Sequence, residues 1–431
     1  QDYLFIIIGI KMNNYSSIID STVNDMREEI ILFIQNLVQS PSLANDENDV
    51  QEIILNKLES LQLKAEIIPI NFDSIKDHPA FSDDGFSPDS RINVIGNWNE
   101  DMKGKSLILN GHVDVVPTGS ITLWDDSPWS GKIKDDRIYG RGSCDMKAGL
   151  ASGILAVQVL KTIGFEPNGN VMIQSVVGEE SGGCGTLTNI VKGYRGDAAV
   201  ILEPTSLKLC PIQSGALTFR LTIPGQATHA AMRWDGISAI EKFNIINQSI
   251  IELEKERHSL FSVEYYESPE RVAPINIGTI KGGEWHSTVP DSVIVEGRLG
   301  VFPGEPVSDA RTAFSNHIIK VSNSDPWLKN NPPIIEWFEG QFESGQTDID
   351  HSIINHLKEA YNNVNNSNPI VEGVTYGSDL RLFTNHADIP ALLFGPGDVR
   401  LAHSANEYVE IEEVLTCIKI ISNLIINWCG E

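Results

Sequence analysis

Apolar residues recur at helical spacing between Asp20 and Gln39, at Met26, Ile30, Phe33, Ile34, Leu37 and Val38. Ser40-Pro41-Ser42 closes that predicted helix. Val50, Ile53, Ile54, Leu58 and Leu61 repeat the pattern and predict a second helix over 46–61. Ala65–Ile70, Ile92–Trp98 and Ser106–Asn110 are apolar runs of strand length, with a polar Asp-, Ser- and Pro-rich loop, Phe72–Ser90, between the first two. A long apolar helix over Ala148–Ile163, a strand over Asn170–Val177, a short helix over Thr186–Val191 and a strand over Ala198–Leu202 follow. Strands and helices alternate, and each strand ends in a polar cluster. That order predicts an α/β fold, a mixed and mainly parallel sheet with helices on both faces.

Near Cys210 the pattern changes. Ala216–Ile223 alternates as a strand, Ile237–Glu256 is an amphipathic helix, Ile275–Ile280 and Val293–Leu299 are strands, and Ser308–Val321 is a helix. This β-α-β-β-α order predicts a small α+β domain with an antiparallel sheet. Ser322–Pro333 reads as the linker back. The helix–strand style then returns, ending in a helix over Ile411–Trp428. The expected organisation is a catalytic domain in two parts, 1–211 and 328–431, with a second domain inserted at 212–327.

Composition narrows the class. The chain has 431 residues, of which 41% are hydrophobic and 21% charged, the balance of a globular protein. Its formal net charge is -26, which argues against nucleic acid or an anionic membrane as a partner and supplies carboxylates that could hold metals. Five cysteines, an odd number with no Cys-x-x-Cys, fit reduced thiols in the cytoplasm. The apolar run Leu4–Ile10 is too short to span a membrane and lacks signal-peptide features. Residues 1–11 read equally as a strand, a leader, or sequence upstream of a start at Met12.

The strand Ser106–Asn110 leads into Gly111-His112-Val113-Asp114-Val115-Val116-Pro117. On an extended strand, His112 and Asp114 project to one side. Other strand ends and turns add Asp145, Glu179, Glu180 and Glu203, and the loop Arg400–Glu407 adds His403. Singly each has an ordinary reading: a polar strand end, a solvated turn, a loop residue before Pro204, a surface histidine. Jointly, two histidines and several carboxylates without cysteine suit two divalent ions, zinc, cobalt or manganese. Asp145, in a Gly-rich turn before a helix, suits a bridge between them. Adjacent Glu179 and Glu180 point different ways, so one can hold metal while the other acts as a base.

The stretches Gly111–Pro117, Gly140–Lys147, Val177–Gly183, Leu202–Thr205 and Ala402–Glu407 resemble, in type, order and spacing, those of the di-zinc peptidase and deacylase family of acetylornithine deacetylase, succinyl-diaminopimelate desuccinylase, aminoacylase and glutamate carboxypeptidase. The resemblance runs from about Asp20 to the end. It implies a zinc-peptidase-like catalytic domain with an inserted ferredoxin-like dimerisation domain, and a homodimer. It implies that His112 and Glu203 bind one zinc, Glu180 and His403 the other, and Asp145 both. Asp114 would orient His112, Glu179 would be the general base, and Asp145–Met146 would be a cis peptide. His229, in Gly225–Ala230, would reach a neighbouring active site and stabilise the oxyanion. Asn276, Arg298, Gly377 and Ser378 resemble substrate-contacting positions. Ser287 and Cys144 depart from the common pattern, which bears on the substrate and not on the metals. The implied activity is hydrolysis of an N-acylated amino acid or similar small amide. The alternatives are a dipeptidase or carboxypeptidase, a formylaminopyrimidine deformylase, or a non-catalytic metal-binding scaffold. No nucleophile elbow, Walker loop or dinucleotide fingerprint occurs.

Overall fold

The computed structural model describes residues 15–430 apart from Met102, Ser262 and Val263, so the run Leu4–Ile10 lies outside the described residues. The described residues form two compact units, one up to residue 211 with 346–372 and from 382 on, the other 212–345 with 373–381.

The first unit is built on a mixed sheet. Its order is Lys64–Pro69, Ile92–Trp98, Gly169–Val176, Gly104–His112, Ala198–Ile201, Ala391–Leu393, then Leu209–Gln213. Four neighbours in the middle, from Gly169–Val176 to Ala391–Leu393, run parallel, and antiparallel strands flank them on both sides. Gly169–Val176 is buried along its whole length, as a strand with both faces covered must be. The helix Ala148–Thr162 is apolar nearly all round and correspondingly buried, and Ile411–Cys429 buries a broad apolar face beside a polar stripe at Glu412, Thr416, Lys419 and Asn423. Close packing fixes the start of the first: a Cβ on Gly149 would lie 1.9 Å from the Leu202 carbonyl oxygen.

Parallel neighbours end at the same edge of a sheet. His112 pairs with Val176, and Asn110 pairs with Ile201. The chain leaving these strands therefore presents His112, Glu179-Glu180 and Glu203 side by side, and the strand Ala391–Leu393 feeds the loop that carries His403. A small antiparallel sheet ties that loop down: Tyr408 pairs with Tyr139, just ahead of Gly140–Lys147.

The second unit is an antiparallel sheet in the order Ile275–Gly282, Ser292–Val301, Gly215–Pro224, Ile334–Phe342, with helices Ala239–Leu260 and Val307–Ser322. The β-α-β-β-α-β succession with this order is the ferredoxin-like arrangement. Gly215–Pro224 alternates buried and half-buried positions, and Leu217, Phe219, Leu221, Ile223, Ile250 and Phe314 form the core. The return to the first unit lies later than the expected residue 327. The segment Ile334–Phe342, instead of joining the catalytic sheet, completes this one by pairing with Gly215–Pro224.

Candidate active site

His112 closes its strand and is 1% exposed. Its Nδ1 donates to the backbone carbonyl of Asp114 at 2.8 Å. That bond fixes the tautomer and leaves Nε2 facing carboxylates: Asp145 Oδ1 at 3.2 Å, Glu179 Oε2 at 3.8 Å and Glu203 Oε1 at 3.9 Å. His403, held at φ 58°, brings Nε2 to 3.1 Å from Glu180 Oε1 and 3.5 Å from Asp145 Oδ2.

The Asp114 carboxylate has another use than the one expected. It lies 3.7 Å from His112 Nδ1, while its two oxygens accept the backbone N–H groups of Glu179 at 3.3 Å and Glu180 at 3.1 Å. Asp114 thus orients His112 through its backbone and the paired glutamates through its side chain. The reason is local: the strand stops at His112, so the two-residue alternation does not carry on to Asp114.

Asp145 sits in a turn that starts at Gly142, φ 79°, where a Cβ would meet Val115 Cγ1 at 2.6 Å, and the Asp145–Met146 peptide is cis. Fully buried Glu407 holds this turn. Its Oε1 accepts the N–H groups of Cys144 at 2.9 Å and Asp145 at 3.1 Å, and its Oε2 pairs with Arg141. Arg141 also donates to the carbonyls of Ser404 and Pro117. Burial pushes the Glu407 carboxyl up, and Arg141 and the two N–H groups pull it back. Neither Glu407 nor Arg141 was assigned a role from sequence. The available signal was their place inside the same motif stretches as Asp145 and His403, Gly140–Lys147 and Arg400–Glu407.

Two groups of donors result. His112, Asp145 and Glu203 form one, and Asp145, Glu180 and His403 form the other, with the ligand atoms of each group within 4.8 Å of one another. Asp145 belongs to both. The electrostatics fit cations. Burial works against a charged His112, yet Asp145 and the surrounding carboxylates push it well above the usual histidine range. Asp145 and Glu180 push His403 up to about 10. Burial and the nearby Asp145 raise Glu180, while hydrogen bonds from both histidines hold Asp145 below the usual carboxylate range despite its burial. Gathering this many carboxylates out of water costs several kcal/mol unless positive charge compensates. Two divalent ions held by these groups would supply that charge, and nitrogen and carboxylate donors suit zinc, cobalt or manganese.

The remaining expected residues belong to the second unit. His229 precedes a short helical turn, and its Nδ1 accepts the Ala231 N–H at 3.1 Å, which leaves Nε2 as a donor. Asn276 and Arg298 are cross-strand partners and line one cleft of about 330 Å³. Arg298 donates to the Thr375 carbonyl at 2.8 Å. Gly377 packs tightly on Phe342. Ser378 is fully buried, its hydroxyl donating to Gln213 and accepting the Leu380 N–H at 3.2 Å, so it braces its loop from inside this unit. All five cysteines are buried thiols. Among the described residues no helix is long and apolar enough to cross a membrane.

Paired donor groups sharing one carboxylate at the parallel edge of such a sheet define a metallohydrolase. The sequence model of Peptidase family M20/M25/M40 matches residues 108–427, and the chain belongs to that family, whose members hydrolyse amide bonds. It is 31% identical over 347 residues, 76% of this chain and 80% of the relative, to N-formyl-4-amino-5-aminomethyl-2-methylpyrimidine deformylase of Bacillus subtilis (strain 168). It is 25% identical over 430 residues, 94% of this chain and 98% of the relative, to a probable succinyl-diaminopimelate desuccinylase of Staphylococcus aureus (strain MRSA252). Its fold matches that of a Bacillus subtilis protein solved as a dinuclear metal-binding peptidase of the M20 family, with a TM-score of 0.63 at 17% identity, covering 94% of this chain and 99% of that one. The chain is an amide-bond hydrolase.

Proposed function

We propose that this chain is a cytoplasmic enzyme that removes the acyl group from a small N-acyl amine, with two divalent ions, zinc in the first place, held by His112 and Glu203, by Glu180 and His403, and by Asp145 between them. The observation that carries this reading is the pair of donor groups meeting at Asp145. Ions held by these residues would supply Lewis acidity and a more acidic water. Glu179, 7% exposed and 3.8 Å from His112 Nε2, is placed to take the proton of the attacking water and pass it to the leaving amine. The Nε2–H of His229 is free to donate to the oxygen of the tetrahedral intermediate, supplied to the active site by a second copy of the chain in a homodimer formed through the inserted unit. Asn276 and Arg298 bind the rest of the substrate.

Within this chemistry the similarity to the deformylase favours a formyl group on an aminomethyl-pyrimidine over a succinylated amino acid. A dipeptide substrate is the rival. A panel of N-formyl-, N-acetyl- and N-succinyl-amines and dipeptides, assayed with zinc or cobalt, decides among them. Hydrolysis of an N-acyl amine is expected. Turnover of dipeptides alone would move the assignment to a peptidase, and no turnover at all would favour a scaffold. Glu179→Gln is expected to keep both ions and lose at least a thousandfold in kcat. Retained turnover would sink the base assignment.

A further inference from the structure

The polar loop Phe72–Ser90 and the arginine after it have no part in the chemistry above. Arg91 is 1% exposed. Its Nε and Nη2 donate to Glu47 Oε1 at 3.1 and 2.8 Å, and its Nη1 donates to Asp84 Oδ2 at 2.7 Å. The side chains of Glu47 and Asp84 are each 1% exposed. The Asp84 oxygen that meets Arg91 also accepts the hydroxyl of Ser181 at 3.0 Å. Ser181 directly follows Glu179-Glu180.

The same elements press on the turn from its other residues. Gly178, φ 71°, has no room for a side chain, because a Cβ there would lie 2.8 Å from Arg91 Nη2 and 2.5 Å from Cys184 Sγ. A Cβ on Gly182 would lie 3.0 Å from Ser82 Cβ. The five residues from Gly178 to Gly182 are therefore bounded by Arg91 at one end and by the loop that Arg91 pins at the other. Asp114 holds the middle through the two glutamate N–H groups.

A buried guanidinium between two buried carboxylates gives little net stability compared with an apolar core of the same volume. What its planar fork does well is fix geometry. We propose that Arg91 is a positioning residue for the hydrolytic turn: it clamps Ser181 through Asp84, abuts Gly178 directly, and so sets where the Glu179 and Glu180 carboxylates stand. The inference rests on the roles given above to those two glutamates. Displacing a reacting group by about 1 Å costs on the order of a hundredfold in rate, so the clamp is a requirement of the chemistry.

The test uses the full chain loaded with zinc, as wild type and as Arg91→Lys, Asp84→Asn and Ser181→Ala. Lysine keeps the charge but cannot bridge both carboxylates in a fork. Arg91→Lys and Asp84→Asn are expected to lower kcat tenfold or more with KM within twofold, while two ions per chain and a cooperative melt are retained. Ser181→Ala is expected to lower kcat several-fold and to add nothing in the Asp84→Asn background, because both act through one contact. Wild-type kcat in folded, fully loaded variants, with only the melting temperature lowered, would overturn the proposal. If Arg91→Lys does not fold, Ser181→Ala and its combination with Asp84→Asn decide by the same criteria. A cobalt titration gives a readout without turnover: one of the two binding events is expected to weaken several-fold in Asp84→Asn, as the Glu180 site shifts, and unchanged binding of both would count against the clamp. If wild type hydrolyses no N-acyl amine, the hydrolase reading fails by itself, and the cobalt titration still judges the clamp.

Discussion

Replacing Glu407 by glutamine tests how the Asp145 turn is held. The carboxylate makes three contacts: the N–H groups of Cys144 and Asp145 at one oxygen, and Arg141 at the other. The side chains of the ion pair are 0% and 2% exposed. In Glu407→Gln the amide oxygen can still accept both N–H groups, but the amide nitrogen then faces the guanidinium, and Arg141 becomes a buried charge without its counter-ion. Breaking one side of a buried pair costs about 3–5 kcal/mol. Arg141 keeps its bonds to the Ser404 and Pro117 carbonyls, so about 3 kcal/mol, the low end of that range, applies. For a unit of this size, at 2–4 °C for each kcal/mol, that lowers the melting temperature by roughly 6–12 °C. Calorimetric melts of the chelated protein measure it. Removing the orphaned charge as well should restore stability, so Glu407→Gln with Arg141→Met is expected to melt above Glu407→Gln alone. A shift under about 2 °C, or strict additivity in the double variant, would refute the reasoning.

Two further outcomes follow from the geometry. In the metal-free protein the folded state holds a proton on His403 up to about pH 10, against an ordinary histidine value of 6.5. The folded chain thus binds more protons than the unfolded one between those values, and stability contributed by this group is complete below 6.5 and lost as pH rises towards 10. Because the side chain is half exposed, the effect is modest. Zinc on the imidazole removes it, so denaturant midpoints at pH 6, 8 and 10 should fall with pH in chelator and fall less with zinc; a rise in chelator would contradict this. Separately, Gly149→Ala places a methyl group 1.9 Å from the Leu202 carbonyl oxygen, a backbone atom that cannot swing away. Overpacking of this kind costs about 1–3 kcal/mol or more, and because Glu203 follows Leu202, zinc retention should drop with the melting temperature; a variant with unchanged melting temperature and zinc content would remove that coupling.

Much of this site was legible in the sequence because parallel strands write themselves plainly. A strand buried on both faces is mainly apolar, and the first histidine or carboxylates after its apolar run lie at the sheet's edge. That logic alone collects His112, Glu179, Glu180 and Glu203. His403 needed the motif around it, since it sits in a loop whose position is set by the pairing of Tyr408 with Tyr139. Ile334–Phe342 was hidden as a strand: it lies at the edge of its sheet, carries Gly340, and slips register between Trp337 and Gln341. Glu407 and Arg141 were hidden because a buried ion pair between residues 266 positions apart leaves no periodic trace. The same holds for Arg91, whose partners Glu47 and Asp84 come from a helix start and a loop.

The central claim, that one carboxylate joins two metal sites, is tested most directly by anomalous diffraction from a crystal grown with zinc. Two peaks are expected, about 3.5–4 Å apart, one bounded by His112, Asp145 and Glu203 and the other by Asp145, Glu180 and His403. A single peak, or two peaks of which only one touches Asp145, would contradict it.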